Sequence, residues 1–439
     1  MVGDRHGVRA RLHPGDHVNA RVYKWVFLAL LSGAFFFHQA DRALFGLLTI
    51  PIQEDLGLTD LQIGWVNTAL FCTLAVTTPF AGMLGDRVSR KWIITFSLLF
   101  WSLMTACTGF VGGICGLVFF RSVATGGGES FYAPSAFALL ASHHRETRSI
   151  AFSVHQSALY VGLMFSGALV AWALHLLGGW RPVFFVFGGL GFLLGVVFCF
   201  ALKERPADAN AETAGTAGAS VAAARPAAPS FAASLRAYFC NPSALLASVG
   251  FIAVVFANNA YLCWAPKFVA RKFGLSVGAA GSGTMLYHHV AAFAAIMLGA
   301  FVTDRLVVRH PRFRLGLQIA ALVGGAPALL FVGCAPGVAA CWCAVVLYGV
   351  FRGLFEVNTH ASLFDVVAPA HRASAEGLMT MIAFFIGSLS PLLLGALSDR
   401  YGVRGFEIGF GVLGVGYLVG VAALLASFLF SFRRDRVVE

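Results

Sequence analysis

Six charged residues, Asp41, Arg42, Arg121, Glu129, Arg352 and Glu356, stand inside segments that are otherwise apolar enough to cross a bilayer. On insertion scales a central Arg or Asp costs about 2.5–3.5 kcal/mol, so three basic and three acidic groups are expected to face a polar cavity rather than lipid. In a cavity of low dielectric a carboxylate is driven toward its neutral form, and a nearby guanidinium draws it back. Such a carboxyl can exchange a proton within the working pH range. If an anionic ligand takes over the guanidinium of Arg42, then Asp41 or Glu129 loses its partner and protonates more readily. Ligand and proton would then bind cooperatively. The alternative is a set of static buried ion pairs, since pairing alone rescues a buried charge.

Positioning these groups requires membrane helices. Of the 439 residues 58% are apolar and 12% charged, and the mean hydropathy is +0.79, which marks an integral membrane protein. Apolar runs of about 20 residues, the length that crosses the hydrocarbon as a helix, recur along the whole chain. Residues 1–24 are polar and the first apolar run continues as a full span, so no cleavable signal peptide is expected. Twelve spans are expected, near 25–51, 62–84, 92–112, 115–141, 149–176, 182–202, 243–266, 279–303, 315–334, 338–365, 373–397 and 406–431. Residues 207–230, rich in Ala, Thr, Pro and Gly, read as a flexible linker. The expected architecture is all-α: twelve transmembrane helices in two pseudo-symmetric six-helix bundles, 25–203 and 243–431. They are joined by a cytoplasmic linker, 204–242, and flanked by tails 1–24 and 432–439.

Charge sets the orientation. With both ends in the cytoplasm, the cytoplasmic segments hold 22 of the 31 Lys and Arg, and the outer loops hold six: Arg181, Lys267, Arg271, Lys272, Arg400 and Arg404. That asymmetry favours cytoplasmic termini, here in a bacterial inner membrane. The net charge of +11 then belongs to the inner membrane face, where anionic lipid is its neighbour, and nucleic-acid binding is disfavoured.

Spacing brings some candidates together. Arg121 and Glu129, eight residues apart, fall about two turns apart on broadly one helix face. Glu356 follows Arg352 by four residues, so the two can meet directly and read more readily as structural or gating groups than as ligand contacts. Gly126–Gly128 remove side chains from one turn and allow another helix to approach closely. Further candidates to line a cavity are Tyr132, His155, Gln156 and Tyr160 in the first half, and Asn258, Asn259, Tyr261, Tyr287, His288, His289 and Asn358 in the second. For any one of them, bonding between helices is the commoner role. The nine cysteines are scattered singly and suggest neither a disulfide framework nor a metal site. No nucleophile with a base and no zinc-protease spacing stands out, so an enzyme is disfavoured. A sensor that binds without transporting is a different-class alternative.

The two halves echo each other, as expected of many secondary transporters. After the second span comes Gly82-Met-Leu-Gly-Asp86-Arg87-Val-Ser-Arg90-Lys91. After the eighth comes Gly299-Ala-Phe-Val-Thr-Asp304-Arg305, followed by Arg309, Arg312 and Arg314. Over essentially its full length the chain resembles the major facilitator superfamily, whose loop motif, Gly-x-Leu-Ala/Gly-Asp-Arg-x-Gly-Arg-Lys/Arg, it matches except at Ser89. The resemblance implies that Asp86, Arg87 and Arg90 form a cytoplasmic gate. Asp41-Arg42, the segment Gly126-Gly-Gly-Glu129-Ser-Phe-Tyr132-Ala-Pro134 and Gly179-Trp180-Arg181 are similar to two branches, the anion:cation symporters and the Spinster-like lysolipid transporters. These imply that Asp41 and Glu129 exchange protons and that Arg42 helps hold an anionic substrate. Both branches commonly read Asn-Tyr-x-Asp-Arg, where this chain has His38-Gln39-Ala40-Asp41-Arg42, so the substrate does not transfer with the motif.

The resulting expectation is a monomeric secondary transporter working by alternating access, with proton-coupled symport of a small organic anion such as a sugar acid. Transport of a lysolipid is the runner-up. Protons are the expected coupling ion, with no cofactor and no metal. Substrate contacts are expected from Arg42, Tyr132, Gln156, Asn258, Tyr287, His288 and Asn358. Gating or structural roles are expected for Asp86, Arg87, Arg90, Arg121, Arg352 and Glu356.

Overall fold

The computed structural model describes residues 14–85, 88–144, 147–203, 231–310 and 312–437. Among these, ten helices are long and apolar enough to cross a membrane. A further helix, Pro14–Leu47, and a broken segment containing Glu129 bring the set of spans to twelve. In chain order they are α1 (Pro14–Leu47), α2 (Asp60–Gly85), α3 (Arg90–Thr108), α4, α5 (Arg148–Leu177) and α6 (Trp180–Ala201). The second half comprises α7 (Pro242–Phe273), α8 (Val277–Leu306), α9 (Phe313–Cys334), α10, α11 and α12 (Val403–Ala426). In α4 the sections are Ile114–Gly116, a π-helical Leu117–Ala124, Thr125–Glu129 and Tyr132–His143. In α10 they are Val338–Glu356 and Thr359–Phe364, and in α11 Arg372–Gly387 and Leu389–Tyr401.

Packing repeats between the halves. In the first, α1 lies on α5, α3 on α6 and α2 on α4; in the second, α7 lies on α11, α9 on α12 and α8 on α10. Between the halves, α5 meets α8 and α2 meets α11, a pair of contacts that the same two-fold operation exchanges. Close approach there depends on small residues: a Cβ on Gly167 of α5 would fall 2.4 Å from the carbonyl oxygen of Gly281 of α8. Backbones this near gain dispersion contact without a hydrophobic driving force between helices.

Two features differ from expectation. First, α7 does not end at residue 266 but runs on to Phe273 with Pro266 inside it. Proline has no N–H to offer the carbonyl four residues earlier. That carbonyl belongs to Leu262, and α1 packs against it: a Cβ on Gly46 would lie 2.4 Å from its oxygen. Lys267, Arg271 and Lys272 are therefore helical rather than in a loop, as are Arg181 in α6, Arg400 in α11 and Arg404 in α12. Second, the C-terminal part of the 204–242 segment is ordered as a helix, Phe231–Phe239. It docks by Tyr238, whose buried hydroxyl meets Ser248 Oγ at 2.6 Å, and by Ser234 against His371. Residues 207–230 lie outside the described residues, as do Asp86 and Arg87 of the loop motif.

The halves close on each other at the end of the bundle remote from the start of α1. Lys267 of α7, 1% exposed, donates to both Gln53 and Asp60. Asp60 also accepts from Ser398 of α11 at 2.5 Å. Asp399 of α11 in turn accepts the backbone N–H groups of Asp60 and Leu61 at 2.8 and 2.9 Å, so a carboxylate from one half caps the positive end of a helix in the other.

Candidate functional site

Two ion pairs bind α1 to α4, and they differ in access. In the first, Arg121 Nη1 lies 3.0 Å from Asp41 Oδ2, and its Nη2 donates to the Asp41 carbonyl at 2.6 Å. Thr105 of α3 donates to the same carboxylate oxygen at 3.0 Å. The Arg121 side chain is 1% exposed. It sits in the π-helical section of α4, a geometry frequent at functional sites, and its neighbour Ser122 bonds the Val66 carbonyl of α2 at 2.6 Å.

In the second pair, Arg42 donates to Glu129 Oε2 from Nη2 at 3.1 Å and from Nε at 3.3 Å. Here the arginine side chain is 18% exposed while that of Glu129 is sealed. Of the two arginines, Arg42 is the more open. His38 Nε2 stands 3.5 Å from the same Glu129 oxygen, and its Nδ1 meets the Gln39 amide at 2.9 Å. If the amide donates there, Nε2 carries the ring hydrogen and faces the carboxylate. Asp41 and Arg42 are thus not partners of each other: each takes its counter-ion from α4.

The glycines of α4 make this possible. A Cβ on Gly126 would meet Leu70 at 2.9 Å, and one on Gly128 would meet Phe100 at 2.9 Å and Trp101 at 3.1 Å. Ser97 of α3 bonds the Gly128 carbonyl at 2.5 Å. Helix continues through the three glycines and loosens immediately after Glu129, where Ser130 and Phe131 keep right-handed helical dihedrals but bond the Gly126 and Gly128 carbonyls at 3.3 and 3.4 Å.

The second half carries its own charged pair. Arg352 Nη2 lies 2.9 Å from Glu356 Oε2, with the side chains 12% and 35% exposed. Tyr160 of α5 crosses from the other half to donate to Glu356 Oε1 at 2.9 Å, and its ring lies on Phe293 of α8. Around Arg352 gathers an aromatic cluster: His288 stacks on Tyr348 at 4.8 Å and meets Tyr261 at 4.6 Å, and Tyr417 lies beyond Tyr348.

The remaining candidates divide by environment. Tyr132 is fully buried and donates to the Leu31 carbonyl at 2.6 Å, and Asn358 donates to Thr303 at 3.2 Å; both bonds tie helices together. His155 is buried among Phe35, Tyr132 and Phe137. Gln156 is exposed, Asn258 is half-buried, and Asn259 is buried beside Gly387 of α11. Tyr287 is 43% exposed with its ring on Trp342. His289 bonds the Met285 carbonyl at 2.8 Å, and Arg90 begins α3.

The sequence reading missed the Lys267–Asp60 cluster. The signal was the apolar Phe268-Val269-Ala270 beyond Lys267, which carries the buried helix face past the proline.

A family model described as Major Facilitator Superfamily matches residues 30–391. Protein spinster homolog 1 of Rattus norvegicus is 27% identical over 372 residues, covering 81% of this chain and 69% of the relative. A probable sulfoacetate transporter of Cupriavidus necator is 26% identical over 428 residues, covering 92% and 93%. Among solved structures, a bacterial homolog of the human lysosomal transporter Spinster, inward-facing and occupied, superposes with a TM-score of 0.81 at 19% identity. It covers 95% of this chain and 99% of that one. This last likeness shows the fold.

Proposed function

We propose, from the premise that this chain is a transporter belonging to the Major Facilitator Superfamily, that it couples protons to the symport of a small organic anion by alternating access. The observation that carries the reading is the Arg42–Glu129 pair, a partly exposed arginine held by a sealed carboxylate. Protonation of Glu129 abolishes its charge and releases Arg42, which then grips the carboxylate or sulfonate of the substrate with its planar fork. Loss of the proton restores the internal pair and expels the anion. His38, whose Nε2 stands 3.5 Å from Glu129, is the neighbour that passes the proton on in this reading. Asp41, bound by Arg121 and Thr105 within the same half, is the second candidate proton site, to which the role falls if Glu129 does not carry the proton.

The probable sulfoacetate transporter among the relatives supports an anionic cargo; a sugar acid is a further member of the class. The working form is a monomer in a bacterial inner membrane with both termini cytoplasmic, and two bundles, 25–203 and 243–431, rock about the site. Asp86, Arg87 and Arg90 gate the cytoplasmic end. Purified protein in proteoliposomes tests this reading: a pH gradient, acid outside, should drive uptake of radiolabelled sulfoacetate or a sugar acid above equilibrium. Transport of lysophosphatidylcholine with no movement of any small acid would overturn it in favour of the lysolipid reading.

A further inference from the structure

Glu129 and Glu356 occupy equivalent places in the two halves. Glu129 ends the section Thr125–Glu129, and after two residues the helix resumes at Tyr132. Glu356 ends the section Val338–Glu356, and after two residues the helix resumes at Thr359. Each pairs with an arginine, at 3.1 Å for Arg42 and 2.9 Å for Arg352, and the two arginine side chains are partly exposed, at 18% and 12%, where that of Arg121 is closed at 1%.

Resting on the anion-symport reading above, we propose that Arg352 and Glu356 form a second proton-linked anion subsite, so that the preferred cargo is a small dianion with one acidic group held by each half. Arg352 has donors to give. Its Nε and Nη1 are buried and lack an acceptor among the described residues, and an unsatisfied buried donor is costly to keep unless a ligand completes it. The His288, Tyr348 and Tyr417 rings pack on one another near Arg352 and lower the dielectric around it, which strengthens its attraction for an anion.

The two subsites are linked through α5. Tyr160 reaches Glu356, and Gly162, two residues further along α5, packs against Phe36 and Gln39 of α1 so closely that a Cβ would fall 2.6 Å from the Phe36 carbonyl. Gln39 is within one turn of Arg42.

Charge balance fixes the proton count. Arg42, Glu129, Arg352 and Glu356 sum to zero with no ligand bound. A dianion entering this neutral site is compensated by two protons taken from the aqueous phase, one on each glutamate. Each frees one guanidinium for one acidic group of the cargo, and nothing else changes bonding.

The test is ligand-induced thermal stabilisation of the purified full chain with malonate, succinate and glutarate against acetate and propionate. Two anchors on one ligand raise its effective concentration at the second subsite, so the best-fitting diacid should bind at least about tenfold more tightly than either monoacid. Arg352→Gln should erase that advantage and bring the diacids down to the affinity of the monoacids. Glu356→Gln, which mimics the protonated acid, should keep the diacid's advantage and make its binding less dependent on pH, and it controls for folding. Diacids no better than monoacids for the parent protein would overturn the inference alone, as would an advantage that survives in Arg352→Gln. Absence of stabilisation by every acid would instead overturn the symport reading on which it rests.

Discussion

Lys267 of α7 and Asp60 of α2 form a buried ion pair across the two halves, completed by Gln53 and Ser398. It exists only while this end of the bundle is closed. Removing Lys267 leaves Arg271, 3.8 Å from Asp60, as the remaining cationic neighbour, and breaking a buried pair costs up to about 3–5 kcal/mol. In a transporter that cost falls on the closed state and shifts the balance toward opening at this end. Lys267→Met should therefore increase the distance between spin labels placed on α2 and α11 near Asp60 and Asp399. Asp60→Asn in the same background should restore part of the closed population, because the stranded carboxylate is gone. An unchanged distance distribution in Lys267→Met would show that the pair does not hold the gate.

Arg121 and Asp41 predict a different response. Their pair lies within one half and involves the Asp41 backbone as well as its carboxylate, so it holds α4 on α1 in every state of the cycle. Arg121→Gln should lower thermal stability strongly, by about 3–5 kcal/mol if the carboxylate stays ionised. The double variant with Asp41→Asn should recover much of the loss. Unfolding curves for the four proteins of this cycle decide the matter; additive losses would mean that the two residues act independently.

Arg42 is expected to be intolerant of its nearest chemical relative. An ammonium is a point charge without the fork that takes two carboxylate oxygens at once. Arg42→Lys should keep the fold and weaken binding of the identified anion by about tenfold or more, in line with loss of a charge-assisted bond worth about 1.5–3 kcal/mol. Isothermal titration at fixed pH checks it, and equal affinity would remove Arg42 from the substrate site.

How far the sequence could be read depends on the range of the signals. Spans are legible because hydropathy is local: a helix in lipid must satisfy its own backbone. Asp41, Arg42 and Glu129 stand out because a charge in an apolar run is itself a local anomaly. Which arginine serves which acid was not legible. Asp41 and Arg42 are adjacent in sequence, yet their counter-ions come from α4 and are sorted by the π-helical section and the loosened turn after Glu129. Lys267 falls just past the span read as 243–266 and so counts as a loop residue in the sequence, while its burial depends on Asp60, more than 200 residues away. Tyr160 likewise finds Glu356 only once the halves meet.

Glu129 gives the sharpest expectation. While this carboxyl is ionised it competes with substrate for Arg42, so binding should tighten as pH falls, by up to about tenfold per pH unit for one linked proton. Glu129→Gln removes the competitor for good. Binding should persist with a flatter pH dependence, and exchange of labelled for unlabelled substrate, which needs no deprotonation, should survive in part. Uphill accumulation driven by a pH gradient should collapse, because the carrier can no longer return its proton. A Glu129 that merely held the fold would give another pattern, with stability, binding and both transport modes failing together or all persisting. Gradient-driven accumulation by Glu129→Gln at the parent rate would refute the coupling role and transfer it to Asp41.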